Sequence, residues 1–256
     1  MPTPLDHAVV VLFAVIFPLL AWWRFPAIRR LLESGQPGVR RRIYVNAMAM
    51  QWGLTALALL AWWVQGRSAA ELGLSTPTLW TAGGVVVALG LVVALALAQR
   101  AAAADEEGRR ELQGVMNRAM PFLPQDERDL RVFHGLAVTA GTCEELLFRG
   151  YLMWYLAAWM NLPLVVVVSS LIFGAAHIYQ GRLHVLQITG VGLVVALLYV
   201  GTGALWASIV LHVGIDLCAG RFALRVFSPA GAAEVSTGAE APPPDSAPQR
   251  QPDSAQ

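Results

Sequence analysis

Lysine is absent from this chain: all 18 of its basic residues are arginine, only two cysteines occur, and charged residues make up 14% of the 256 positions. A soluble domain carries about 25% charged residues, so this scarcity excludes an ordinary water-solvated surface. Cys143 and Cys218 lie in apolar stretches without metal-type spacing. Neither a cysteine metal site nor a disulfide is expected of them, and both read as small buried side chains. No internal repeat of fixed period is present. Missing lysine beside abundant Ala, Gly and Pro fits the codon usage of a GC-rich bacterium, which bears on source and not on function. The net charge of +1 says nothing of partners, because the charge is segregated by loop. No nucleic-acid partner is expected.

What the chain has instead is apolar length. Hydrophobic residues make up 56% and the mean hydropathy is +0.55, which predicts an all-α, polytopic transmembrane helical bundle. Residues 7–23 read as a retained first span, with neither a basic leader nor a small-residue cleavage site. Residues 24–42 read as a loop with six arginines, broken by Pro26 and Pro37. Spans follow at 43–64 and 79–98, each near the roughly 20 residues that a bilayer core requires, joined by a short polar connection, 65–74. The mixed-charge stretch 99–130 reads as a solvated loop. Further spans are expected at 133–160, 163–178, 183–200 and 204–224, with Gly201-Thr202-Gly203 as the last turn. That makes seven spans, or eight if Gly150 ends the fourth helix and residues 150–160 form one of their own. Residues 226–256 read as a disordered tail. Arginines crowd the 24–42 and 99–131 loops and leave Arg67 on the opposite side, so the positive-inside rule puts the N-terminus out and the C-terminus in. Trp22, Trp23, Trp62, Trp63 and Trp80 read as interface anchors. Gly190 and Gly192 read as points of close helix packing.

Inside the fourth apolar stretch lies Thr142-Cys143-Glu144-Glu145-Leu146-Leu147-Phe148-Arg149-Gly150. Each ionisable group at membrane depth costs about 2.5 to 3.5 kcal/mol even on a lenient scale, so such groups face a protein interior and mark a functional site. Glu145 and Arg149 are four apart and share a helix face, whereas Glu144 is turned about 100° away. One carboxylate is therefore paired locally and the other is free. With Asn161-Leu162-Pro163 as a turn, Glu145 lies sixteen residues before Asn161 and His177 sixteen after it. In an antiparallel pair both then sit about 24 Å below the turn, so Glu144, Glu145 and His177 can meet. Phe173 shares a face with His177, and His212 shares one with Asp216. Five polar side chains from three helices thus converge. His134 and His184 lie near span ends, where interfacial solvation is the expectation.

Glu-Glu-x-x-x-Arg at 144–149, Phe-x-x-x-His at 173–177 and His-x-x-x-Asp at 212–216, in that order, resemble the three motifs of the CAAX prenyl protease and bacteriocin-processing (Abi) family of intramembrane endopeptidases. The resemblance covers residues 130–222; before them only hydropathy and Leu72-Gly73-Leu74 agree. With the spans read above, the chain divides into a three-span region at 1–130, a core at 131–225 that the resemblance makes catalytic, and a tail at 226–256. It further implies hydrolysis of a peptide or membrane-protein substrate in the lipid bilayer, here a bacterial inner membrane. In that scheme Glu144 and His177 activate a water while His212 and Asp216 stabilise the oxyanion, and Glu145, Arg149 and Phe173 support them. Prenyl-specialised members resemble His-x-x-x-Asn, and an ionised aspartate cannot donate a hydrogen bond. Asp216 is therefore protonated, or orients His212, or binds a metal. Zinc held by Glu144, His177, His212 and Asp216 is the mechanistic alternative, although no His-Glu-x-x-His occurs. Cys143 points to another face of the helix and is a poor nucleophile candidate. A non-catalytic scaffold or immunity protein, or a proton-coupled transporter, are the competing classes; a transporter would bring repeat symmetry.

Overall fold

The computed structural model describes residues 1–104, 110, 113, 116 and 121–227, and within these the chain forms helices and no strands. In order they are α1 (Pro4–Glu33), α2 (Val39–Val64), α3 (Leu79–Ala102), α4 (Glu127–Glu145), α5 (Leu162–Ala176), α6 (Arg182–Thr202) and α7 (Trp206–Phe227). Among the described residues α1, α2, α3, α6 and α7 are long and apolar enough to cross a membrane, and α5 is apolar but shorter. The fourth helix carries the charged groups. It does not break at Gly150 but runs through a π-type segment, Leu146–Leu152, into a last turn, Met153–Leu156. The middle of the 99–130 loop, and the tail from residue 228 on, lie outside the described residues.

Three expectations are corrected. The loop expected from Arg24 is helical to Glu33, with Pro26 inside α1. Proline removes one N–H from the ladder, but a spanning helix tolerates this where nearby groups supply replacement bonds. The helix runs on through Arg29 and Glu33, an exposed pair at 2.8 Å, and the chain leaves it only at Gly35, whose φ of 67° suits a residue without Cβ. Trp62 is not an anchor: it is 1% exposed, whereas Trp63 beside it is 71% exposed. Adjacent helical residues point about 100° apart, so hydropathy could place the pair at a span end but not tell the two faces apart. Finally, the 65–74 connection is not simply polar. Leu72 is buried, and Gly73 O accepts from Leu205 N at 2.9 Å, which ties the connection to the start of α7.

Packing places α4 between α2 and α7, with α3 along α7 and α5 along α6. Two small residues set the critical approaches. A Cβ at Gly141 would lie 2.7 Å from Val213 N, so α7 comes against α4 one turn before Glu145 and beside His212. A Cβ at Gly174 would lie 1.9 Å from Thr189 Oγ1, so α5 and α6 are equally close. Gly192 lies against Phe173, while Gly190 has open space and no packing role. Asn161 caps α5 by accepting from Leu164 N at 3.1 Å, which fixes the turn that lies sixteen residues from both Glu145 and His177. On the arginine-rich side Arg40 donates to Leu123 O at 2.9 Å and pairs with Asp129 at 3.2 Å, which anchors the approach to α4.

Candidate active site

The last turn of α4 presents Glu144 and Glu145 in different directions, as adjacent helical residues must. Glu145 turns inward and is fully buried with Arg149, at 0% and 1% side-chain exposure. Arg149 Nη1 donates to Glu145 Oε1 at 2.8 Å and its Nη2 to Gly192 O at 2.9 Å. The guanidinium carbon also lies 4.3 Å from the centre of the Phe173 ring, an arrangement that lets a cation rest on an aromatic face. The same Oε1 accepts from His212 Nδ1 at 2.7 Å. Since a carboxylate only accepts, the His212 proton on that side belongs to Nδ1, and Nε2 faces the opposite way. Glu145 Oε2 is buried without a hydrogen-bond partner.

His177 is oriented by its own helix. It closes α5, and its Nδ1 donates to Phe173 O at 2.9 Å. Its ring lies 5.0 Å from that of Phe173 and leaves Nε2 facing α4. His177 Nε2 is 3.9 Å from Glu144 Oε2, and His212 Nε2 is 3.8 Å from the same oxygen. Asp216 Oδ2 lies 3.9 Å from His212 Nε2. These separations exceed a direct hydrogen bond. Exposure rises from the sealed Glu145–Arg149 pair to 16% at Glu144 and His177 and 30% at Asp216, so the cluster opens towards Asp216.

All seven residues singled out in the sequence meet: Glu144, Glu145, Arg149, Phe173, His177, His212 and Asp216. The pairing within the group differs from simple depth matching. His177 faces Glu144, while Glu145, its equal in depth, takes His212 from the third helix. His212 is held by Glu145 and not by Asp216, which shares the nitrogen that faces Glu144. Gln51, on α2, was missed: its Nε2 donates to Glu144 Oε1 at 3.0 Å. The only signal for it was an amide in the middle of an apolar span. His134, expected at a solvated span end, instead has Nε2 buried without a partner. Cys143 is buried and Cys218 half-buried, both as free thiols.

Among the described residues no three His, Cys, Asp or Glu side chains are placed to hold one metal ion. The two Nε2 atoms stand 3.8 and 3.9 Å from Glu144 Oε2, wider than the roughly 3.3 Å between two donors of one tetrahedral zinc at about 2.0 Å each, so the arrangement does not fit a zinc ligand set.

Apolar helices of spanning length around a buried polar cluster make this an integral membrane protein with a site inside its bundle. Residues 128–218 match the family described as Type II CAAX prenyl endopeptidase Rce1-like, in agreement with the resemblance carried by the three motifs. That stretch, 91 of the 256 residues, is what is similar to a CAAX prenyl endopeptidase. Every site residue named from the sequence falls within the matched stretch, and Gln51 lies outside it. No curated protein and no solved structure matches the chain.

Proposed function

We propose that the chain is an endopeptidase that hydrolyses a peptide bond within the membrane by a water activated between Glu144 and His177. The observation that carries this reading is the convergence of two imidazole Nε2 atoms, at 3.8 and 3.9 Å, on one oxygen of a partly accessible carboxylate. A water donating to both Glu144 Oε2 and His177 Nε2 at about 2.8 Å would span roughly 90°, close to its own bond angle. Glu144 removes one proton as the water oxygen adds to the scissile carbonyl carbon. His212, as imidazolium, donates from Nε2 to the resulting oxyanion, with Asp216 in its neutral form as a second donor. Collapse breaks the C–N bond, the proton on Glu144 passes to the leaving amine, the second water proton stays on the acyl product, and a carboxylic acid and an amine are released. Glu145 and Arg149 keep His212 in register, and Phe173 supports both.

The substrate proposed is a membrane-embedded peptide or protein. The test uses a fluorescence-quenched, farnesylated peptide ending in a CAAX tetrapeptide, together with its unfarnesylated counterpart, and purified full-length chain in liposomes. Glu144→Gln should fold normally and lose turnover by about 100-fold or more, since the amide cannot take a proton from water. Glu145→Gln should instead lower folded yield. Unchanged turnover in Glu144→Gln overturns the glutamate mechanism, whereas absence of cleavage by the wild type favours a scaffold or transporter.

The proposed topology has seven spans, with the N-terminus outside, the arginine-rich 24–42 and 99–131 segments inside, and the C-terminus inside. The membrane is proposed to be a bacterial inner membrane. Reporter fusions at Gly38, Ser68 and Pro244 should read in, out and in. The inverse pattern overturns the orientation.

A further inference from the structure

We infer that Gln51 of α2 is a positioning residue for Glu144, so that the site is completed by the half of the chain that lies outside the family match. The inference rests on the glutamate-dependent reading above. Gln51 Nε2 donates to Glu144 Oε1 at 3.0 Å across 93 residues of sequence. The carboxylate can only accept, so the amide must present its NH2 here and its carbonyl elsewhere. The bond holds one oxygen of Glu144 against α2 and thereby turns the other, Oε2, to the two imidazoles at 3.8 and 3.9 Å. Without it the carboxylate could rotate and exchange its oxygens.

The groups that surround Glu144 are Glu145 and Arg149 on its own helix, His177 on α5, and His212 and Asp216 on α7. Among the direct hydrogen bonds of the described residues, Gln51 is the neutral donor that reaches this carboxylate. A purely structural role, the docking of α2 on α4, is met elsewhere. Trp52 Nε1 donates to Thr139 Oγ1 at 3.2 Å, and Arg40 pairs with Asp129 at 3.2 Å. Gln51 meanwhile keeps its carbonyl oxygen buried without a hydrogen-bond partner. A side chain selected only to dock a helix would not leave a buried acceptor unpaired in an apolar span, where such a group is costly.

The experiment compares wild type, Gln51→Met, Gln51→Glu and Glu144→Gln as full-length chains in liposomes, with the farnesylated CAAX peptide and its unfarnesylated counterpart as probes. Gln51→Met keeps length and removes the donor. Its kcat should fall about tenfold with KM and folded yield unchanged, the size expected for one hydrogen bond to a charged group. Gln51→Glu should lose more, because it sets one carboxylate against another. A double-mutant cycle of Gln51→Met with Glu144→Ala, read by thermal unfolding in detergent, should be non-additive if the two side chains touch. Gln51→Met with wild-type kcat, or with a loss of rate accounted for by lost folded protein, overturns the inference. So do additive melting shifts in the cycle. Full turnover by Glu144→Gln overturns the glutamate mechanism, and no cleavage of either peptide by the wild type overturns the protease reading; each removes the catalytic role of Gln51 with it, whatever the cycle shows of the contact.

Discussion

Two carboxylates, Asp6 and Glu145, are each fully buried against an arginine, and the structure treats them in opposite ways. Asp6 is saturated. Its Oδ1 accepts from Gln65 at 3.1 Å, Arg67 at 2.7 Å and Tyr151, and its Oδ2 from Thr3 N at 2.7 Å, Thr3 Oγ1 at 2.9 Å and Arg67 at 2.7 Å. Arg67 in turn lies 4.0 Å from the Trp154 ring centre and 5.0 Å from that of Trp62. This cluster staples the start of α1, the 65–67 connection and the end of the fourth helix. The Glu144–Glu145 pair has fewer donors than acceptor sites: Glu145 Oε2 has no partner, and Glu144 Oε2 has only imidazoles beyond hydrogen-bond distance. A carboxylate with every lone pair engaged is held in one geometry and has nothing left to accept a proton. One left short of donors inside an apolar bundle is costly to keep, and such a cost is characteristic of a working site.

The sharpest way to break this comparison is to remove each arginine. Arg67→Met and Arg149→Met both leave a buried carboxylate without its cation, a loss of about 3 to 5 kcal/mol each. Folded yield and melting temperature should fall in both. The difference lies in what survives: the folded fraction of Arg67→Met should keep its kcat, whereas that of Arg149→Met should lose it, because Glu145 is no longer fixed in place and carries His212 with it. A fall in kcat per folded Arg67→Met molecule would mean that the saturated cluster is not merely structural.

A smaller effect is expected at the helix contact that delivers His212. Gly141→Ala puts a Cβ 2.7 Å from Val213 N, a backbone atom that cannot swing aside, so α7 must shift. Overpacking of this kind costs about 1 to 3 kcal/mol. Because the shift lengthens the bond from His212 to Glu145, kcat should drop as well as melting temperature. A variant that melts early but turns over normally would separate helix packing from the site.

The smallest effect belongs to Tyr151→Phe, which removes one of six donors to Asp6. It should lower stability by about 1 kcal/mol and leave turnover unchanged, as measured by melting in detergent and peptide cleavage.

Much of this was legible from periodicity and depth. Spans appear as apolar runs because hydrocarbon imposes length and composition directly on the sequence, and Glu145–Arg149 and His212–Asp216 appear as pairs because 3.6 residues per turn puts i and i+4 on one face. The equal distances from Asn161 brought His177 level with the glutamates because an antiparallel pair is a ruler. The same reasoning failed where a single position has two readings. Pro26 marks a break in water and is tolerated in a long apolar helix. Trp62 and Trp63 are equivalent to a hydropathy scale, yet one is core and the other exposed.

By itself, then, the sequence determined that the chain is an all-helical membrane protein, which residues are ionisable at membrane depth, and the family motifs that they compose. Only the tertiary structure decided the partners. That Glu145 takes His212 while Glu144 faces both imidazoles depends on the rotation of α7 against α4, set by the contact at Gly141. That Gln51 reaches Glu144 depends on α2 lying along the other side of α4. Helix rotation and neighbour choice are settled by which side chains fit between two cylinders, and that is a property of the pair, which neither helix carries in its own sequence.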